Sequence, residues 1–286
     1  MATLFHTHER IVPTWLAAAR HLNEAPQRQA KNLLLEISNP LELTQADREV
    51  MARVDLALMK KGLTLRTVAG TIFPTDLYRR FGRPAYYERY KTMLERGKKN
   101  GSWGTYAARM TDREGKSPGE RINPLEMLVS RLSDAAQPQK KAGGQVSYAS
   151  AYELGVSDPG EDLAGACDEG GDVPTYNPAF DGRKWLGLPC LSHLSFKRVP
   201  IIGGHAVDLT AVYRSHHYCA RALGNLIGLG QLLSFVARET DLSVGTLSCL
   251  STHAELDVDE WGGVAVSTAI LNGYGAGHSQ QASEQR

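Results

Sequence analysis

Cysteine is scarce in this chain: four residues among 286, at positions 167, 190, 219 and 249, with no CxxC pair. That usage excludes a disulfide framework and a zinc ribbon, and leaves reduced thiols and a cytoplasmic setting as the expectation. An excess of either charge is missing too, with 32 Lys and Arg against 31 Asp and Glu and a net charge of +1. Without a basic field, generic binding to nucleic acid or to an anionic membrane has no support, so any phosphate must be caught by a few local cations. The opening "MATLFHTHERIVPTW" has no basic segment followed by an apolar one. No signal peptide is therefore expected, and no apolar run reads as long enough to span a bilayer. His6 and His8, and the adjacent His216 and His217, lack a carboxylate or Cys that would complete a ligand set, so no metal site is expected. No internal repeat is visible.

What is present is the material of a large core, 42% hydrophobic and 22% charged. It suits one domain over residues 1–270, with the acidic, glycine-rich 155–178 as a mobile loop and 271–286 as a disordered tail. Residues 13–36 read as helical up to the polar break "NEAPQRQAKN", and "LLLEISNP" (33–40) as a strand. A helix over 44–62 has Thr44 as its N-cap and Gly62 as its stop. Helical blocks follow at 75–100, broken at Gly82 and Pro84, and at 123–135. "VSYASAYEL" (146–154) reads as a strand.

The last third runs strand (186–199), strand (207–215), helix (222–240), strand (244–258). That helix is apolar on most sides, which predicts a central, buried position. Its Gly224, Gly228 and Gly230 cost helix propensity and predict that a strand or a ligand packs very close. In "LTAVYRSHHYCARALGN" (209–225), strand alternation puts Leu209, Ala211 and Tyr213 on one face and Arg214 on the other. Trp15, Trp103, Trp185 and Trp261 are read as core or interface residues, and Cys219 and Cys249 as core.

One ordered set of residues resembles the thymidylate synthase family. It comprises Cys190 in "LPC" with Phe196 beyond it, Arg214-Ser215, Asn225 in the first turn of the apolar helix, the turn "TDLSVG" and His253. The resemblance covers roughly residues 186–258 and is thin over 1–150. It implies an α/β fold, a thymidylate-synthase-like mixed sheet with a long buried central helix and surrounding helices. It also implies a homodimer that binds a pyrimidine nucleoside monophosphate. Cys190 would be the nucleophile that adds to C6 and makes C5 enolate-like, its thiolate favoured by Arg214. Arg214, Ser215 and Arg28 would bind the phosphate, joined by Lys140 and Lys141 of "QPQKKAG" from a partner subunit. Asn225 would read the base edge, and His253 with Glu255 would hold the sugar.

Several positions depart from the family pattern. Leu191 stands where a His usually follows the Cys, Ser195 where a Gln is usual, His217 for an Asp and Glu255 for a Tyr. In "LRTVAGTIFPTDLY" the position of the family's proton-handling Glu is Thr71, which cannot serve as a base near neutral pH. His217, His193 and Glu255 are the candidates to replace it. The family's carbon donor is 5,10-methylenetetrahydrofolate. Tyr106 resembles a tyrosine of the folate cleft, but the tail that closes that cleft has no counterpart. The expected function is one-carbon transfer, methyl or hydroxymethyl, to C5 of a pyrimidine nucleotide. The alternative is a nucleotide-binding protein that has lost the full reaction, or a related Cys-dependent reaction without folate.

Overall fold

A computed structural model describes residues 4–97, 104–115, 119–136, 153–155 and 189–273. Lys140, Lys141, nearly all of the 155–178 loop, Trp103, Trp185 and residues 274–286 lie outside the described residues. In chain order the elements are β1 (Leu4–His8), α1 (Ile11–Glu24), β2 (Gln29–Ile37), α2 (Gln45–Met59), α3 (Leu65–Ile72), α4 (Thr75–Phe81) and α5 (Ala85–Gly97). There follow α6 (Tyr106–Thr111), β3 (Arg113–Glu114), β4 (Arg121–Ile122), α7 (Pro124–Ala136), β5 (Glu153–Gly155) and β6 (Leu191–Ile201). β7 (Gly204–Tyr213), β8 (His216–His217), α8 (Leu223–Glu239), β9 (Ser243–Glu255) and α9 (Val264–Asn272) complete the chain.

Seven strands form one mixed sheet in the order β1-β2-β9-β7-β6-β5, with β8 added alongside β9. β9 runs parallel to β7 and antiparallel to β2, and β7 is antiparallel to β6. This is the expected α/β class. The buried face of β7 carries Leu209, Ala211 and Tyr213, each with no exposed surface, as the alternation predicts. α8 packs on that face and is buried along most of its length, with Leu226, Leu229, Leu232, Leu233 and Val236 fully enclosed.

Four expectations are corrected in detail. The first helix stops at Glu24, because Gln27 and Arg28 take left-handed backbone angles (φ 55° for both) and Gln29 already pairs with β9. What packs against Gly224 and Gly228 of α8 is α3, and what packs against Gly230 is the Pro40 carbonyl with Ile11 of α1, neither a strand nor a ligand. A methyl group at Gly224 would lie 2.6 Å from Val68 Cβ, and one at Gly228 would lie 2.7 Å from the Ala69 carbonyl oxygen. The C-terminal helix α9 extends to Asn272, so 271–272 are helical. Finally, Tyr218–Glu239 is by length and composition apolar enough to cross a membrane, although 72% of its apolar window is buried inside this protein. Arg221, Asn225 and Gln231 interrupt its hydrophobic run in the sequence.

Candidate functional site

The strand directions bring one end of β6, β7, β9 and β2 together. Leu191, the first residue of β6, lies opposite Tyr213, the last of β7, and Tyr213 lies beside Ser251 of β9. At the same end Gln29, the first residue of β2, pairs with Glu255, the last of β9. Segments far apart in sequence therefore deliver Cys190, Arg214, His253, Glu255 and Arg28 to a single rim. α8 begins on this side, which puts Asn225 in its first turn at the same level.

The start of α8 is held unusually firmly. It is preceded by a π-helical turn, Tyr218–Ala222. The Trp15 indole donates to the Tyr218 carbonyl and the Trp261 indole to the Cys219 carbonyl, both at 3.1 Å. From the other side the Asp257 carboxylate accepts the Cys219 N–H at 2.7 Å and the Ala220 N–H at 3.2 Å. Single π turns inside helices are frequent at functional sites, where they shift the register of the residues beyond them. Both tryptophans are fully buried, so the core reading of Trp15 and Trp261 holds. Burial pushes the Asp257 carboxyl up to about 6, against the pull of the amides it accepts and of nearby His217.

Cys190 is half-buried just before β6. Its N–H donates to the Tyr106 hydroxyl at 3.0 Å, as does the Leu191 N–H at 3.3 Å, and its carbonyl accepts the Arg214 N–H at 2.8 Å. The Arg214 guanidinium donates to the Pro189 carbonyl, closing a loop of hydrogen bonds around the cysteine. Burial pushes the Cys190 thiol up from its ordinary value, while Arg214 and Arg221 oppose the rise without cancelling it. The sequence reading expected Arg214 to prevail. Desolvation outweighs it because Arg214 is itself exposed, where solvent screens its charge.

Two neighbouring histidines have opposite fates. His216 is 1% exposed, and its ring lies parallel to Tyr213 at 4.0 Å between centroids. Its Nδ1 stands 2.9 Å from Ser251 Oγ and its Nε2 3.2 Å from Asn225 Nδ2. His217 faces the other way and is partly exposed, with Nδ1 3.9 Å from Asp257 Oδ2. Of these, the sequence reading singled out His217 alone. Alternation sends adjacent strand residues to opposite faces, and the packing of Tyr213 and Tyr218 decides that His216 is the buried one.

Around the rim, Lys31 Nζ lies 2.6 Å from His253 Nδ1, and His253 Nε2 lies 3.8 Å from Glu255 Oε2. Burial and the Lys31 charge lower the His253 pKa, and Glu255 partly offsets them. Arg28 Nε is buried without a hydrogen-bond partner, on a residue whose backbone is in the left-handed region. Such strain persists only where the surroundings enforce it, and it clusters at functional sites. Ser215 is half-buried between β7 and β8. His193 stands in β6 opposite Val212, on the face away from Leu194 and Phe196. On α3 the Thr71 hydroxyl donates to the Val68 carbonyl at 2.7 Å. Two surface cavities, of about 580 and 460 Å³, lie elsewhere, one beside Arg53 and α9 and one at the far end of α8.

No protein-family model matches the chain. It is 33% identical over 89 residues to a "putative thymidylate synthase" of Methanococcoides burtonii, a match covering 31% of this chain and 37% of that relative. The matched stretch thus spans little more than a third of the relative's length, and there the chain is thymidylate-synthase-like in sequence. Among solved structures, it aligns with the thermostable thymidylate synthase A of Bacillus subtilis over 85% of this chain and 70% of that one. The TM-score is 0.43 and the identity 10%, too loose a likeness to bear on chemistry.

Proposed function

We propose that the chain is a divergent member of the thymidylate synthase family. On this reading it binds a pyrimidine nucleoside monophosphate and uses Cys190 to activate C5 of the base for one-carbon transfer. The observation that carries the reading is the convergence of Cys190, Arg214, Asn225, His253 and Arg28 on one rim, from segments up to 225 residues apart. The Cys190 sulfur adds to C6, and the C5–C6 pair moves onto C5 and O4 as an enolate. C5 then takes an electrophile or a proton, and loss of the C5 proton with elimination of the thiolate restores the ring. Arg28, Arg214 and Ser215 bind the phosphate, His253 and Glu255 the sugar hydroxyls, and Asn225 the base edge. His217, beside Asp257, is the exposed group available to move protons.

The folate cofactor of the resembled family is not part of this reading. Tyr106, the residue matched to its cleft, is 7% exposed and its hydroxyl is turned to the Cys190 and Leu191 amides. It does not fit a surface laid open to a folate, so no step is routed through one.

A nucleotide-binding protein without the full reaction is the second reading, favoured by the upward shift of the Cys190 thiol. Exchange of the C5 hydrogen of UMP, dUMP, CMP and dCMP in heavy water separates the two. The enzyme reading expects exchange with at least one nucleotide, and its loss, by a thousand-fold or more, in Cys190→Ala. Saturable binding without exchange leaves the binding protein. Light scattering on the same samples reads whether the chain is the homodimer that would bring the partner subunit's Lys140 and Lys141 to the phosphate.

A further inference from the structure

Lys31, His253 and Glu255 form a row on the rim whose hydrogen-bonding sense follows from their atoms. Lys31 stands opposite His253 across β2 and β9, and Glu255, two residues further on, shares the face of His253. Ser251 alternates onto that face as well, and its Oγ is linked through His216 to Asn225, so the row lies on the side where Asn225 stands. The Lys31 ammonium can only donate, so His253 Nδ1, 2.6 Å away, must offer its lone pair. Burial and the same ammonium hold the His253 pKa below its ordinary value, which keeps the ring neutral with its one proton on Nε2. His253 therefore presents an N–H donor on the side of Glu255, whose Oε2 lies 3.8 Å off, beyond hydrogen-bond reach. No donor among the described residues hydrogen-bonds the Glu255 carboxylate.

A ligand thus meets one fixed N–H beside two carboxylate oxygens that accept nothing from the protein. That arrangement matches a vicinal pair of hydroxyls. Each hydroxyl can donate to one Glu255 oxygen, and one of them accepts from His253 at the same time. Acidic side chains bind the ribose 2′-hydroxyl in dinucleotide sites by the same chemistry. A sugar with a single hydroxyl fills one oxygen and leaves the other to water. We infer that Glu255 makes the site select ribonucleotides over 2′-deoxyribonucleotides, with Lys31 as the positioning residue that fixes the proton of His253. The inference rests on the nucleotide reading above and deepens it to the sugar. The Glu255 side chain keeps 35% of its surface, so water can stand in for a missing hydroxyl. The selection should therefore be about ten-fold, well below that of a sealed polar site.

Two measurements test it. Calorimetry with UMP, dUMP, CMP and dCMP should show the ribonucleotide binding about ten-fold tighter than its 2′-deoxy form, whichever base is preferred. The 3′-deoxy nucleotide of that base should lose as much, since removing either hydroxyl leaves one oxygen unfilled. Glu255→Met, of similar length but without an acceptor, should bring the ribose and deoxyribose forms to within about two-fold, chiefly by weakening the ribonucleotide. Long-range ¹H–¹⁵N NMR on the histidine-labelled, ligand-free protein should find His253 as the neutral Nε2–H tautomer at about pH 7.5. Lys31→Met should raise the His253 pKa, let the Nδ1–H form appear and lower the ribose preference part of the way, and it serves where Glu255→Met does not fold. An Nδ1–H tautomer in the wild type overturns the inference without any nucleotide. Equal binding of ribose and deoxyribose forms, or a ribose preference that survives Glu255→Met, overturns it and leaves the nucleotide reading standing. A wild type that binds none of the four sinks that reading and the sugar selection together.

Discussion

The two ends of α8 hold their polar groups in opposite ways. At its C-terminal end Glu239 accepts the buried Tyr78 hydroxyl and lies 3.5 Å from Arg83, which also makes a forked pair with Glu126. Each of these charges faces an opposite charge or a donor, and the hydrogen bond from Arg83 holds the Glu126 carboxyl below its usual range. At the N-terminal end Asp257 is pushed up instead, Arg28 Nε has no partner, and the Cys190 thiol is shifted against ionisation. One end is a closed network that stabilises the fold. At the other, burial shifts Asp257 and Cys190 against ionisation and one guanidinium nitrogen is left without a hydrogen bond, perturbations of the kind that gather at functional sites.

Breaking the closed end should produce the largest effect. Glu239→Ala strips the acceptor from a buried hydroxyl and one carboxylate from Arg83. It should cost about 2–3 kcal/mol in denaturant unfolding, with nucleotide affinity unchanged. An equal loss of affinity would show that the two ends are not independent.

Asp257 sharpens the contrast through pH. Its folded pKa of about 6 lies above the ordinary aspartate value, so the folded state keeps the proton longer than the unfolded one. The stability it contributes is full below about pH 4 and is lost as pH rises through about 6, by about 3 kcal/mol. Glu126, with its depressed value, acts in the opposite sense: its contribution is present above the ordinary glutamate range and is lost as pH falls through the depressed value. Unfolding curves of Asp257→Asn at pH 4.5 and 6.5 should lack the decline that the wild type shows. The same decline in both would remove Asp257 as its source.

The smallest change is expected at Arg28. Arg28→Gly accepts the left-handed backbone at φ 55° without strain and should gain up to about 1 kcal/mol in stability. It should also weaken nucleoside monophosphates relative to nucleosides, which calorimetry reads directly. A stability gain with phosphate affinity intact would take Arg28 out of the site.

Much of this arrangement was legible in the residues. Thr44 caps α2 with its hydroxyl accepting the Asp47 N–H, as the sequence implied. The strand–strand–helix–strand order of the last third was legible, as were the two faces of β7 and the buried position of α8, because periods of 2 and 3.6 are local properties of the chain. Less visible was the left-handed pair Gln27–Arg28. Nothing in its residue types demands φ 55°, which follows from joining α1 to a strand that pairs with β9. The close packing at Gly224 and Gly228 was anticipated while its partner was not, since Val68 and Ala69 of α3 reach them from more than 150 residues earlier.

By itself the sequence determined which side chains were available, their order, and which face of each element is apolar, since these follow from residue type and short-range periodicity. Tertiary structure alone decided the direction in which the Cys190 thiol shifts, and which of His216 and His217 is sealed in the core. It also set where Asn225 points. Desolvation and hydrogen-bond geometry depend on what the rest of the chain packs around a group, and no local pattern carries that information.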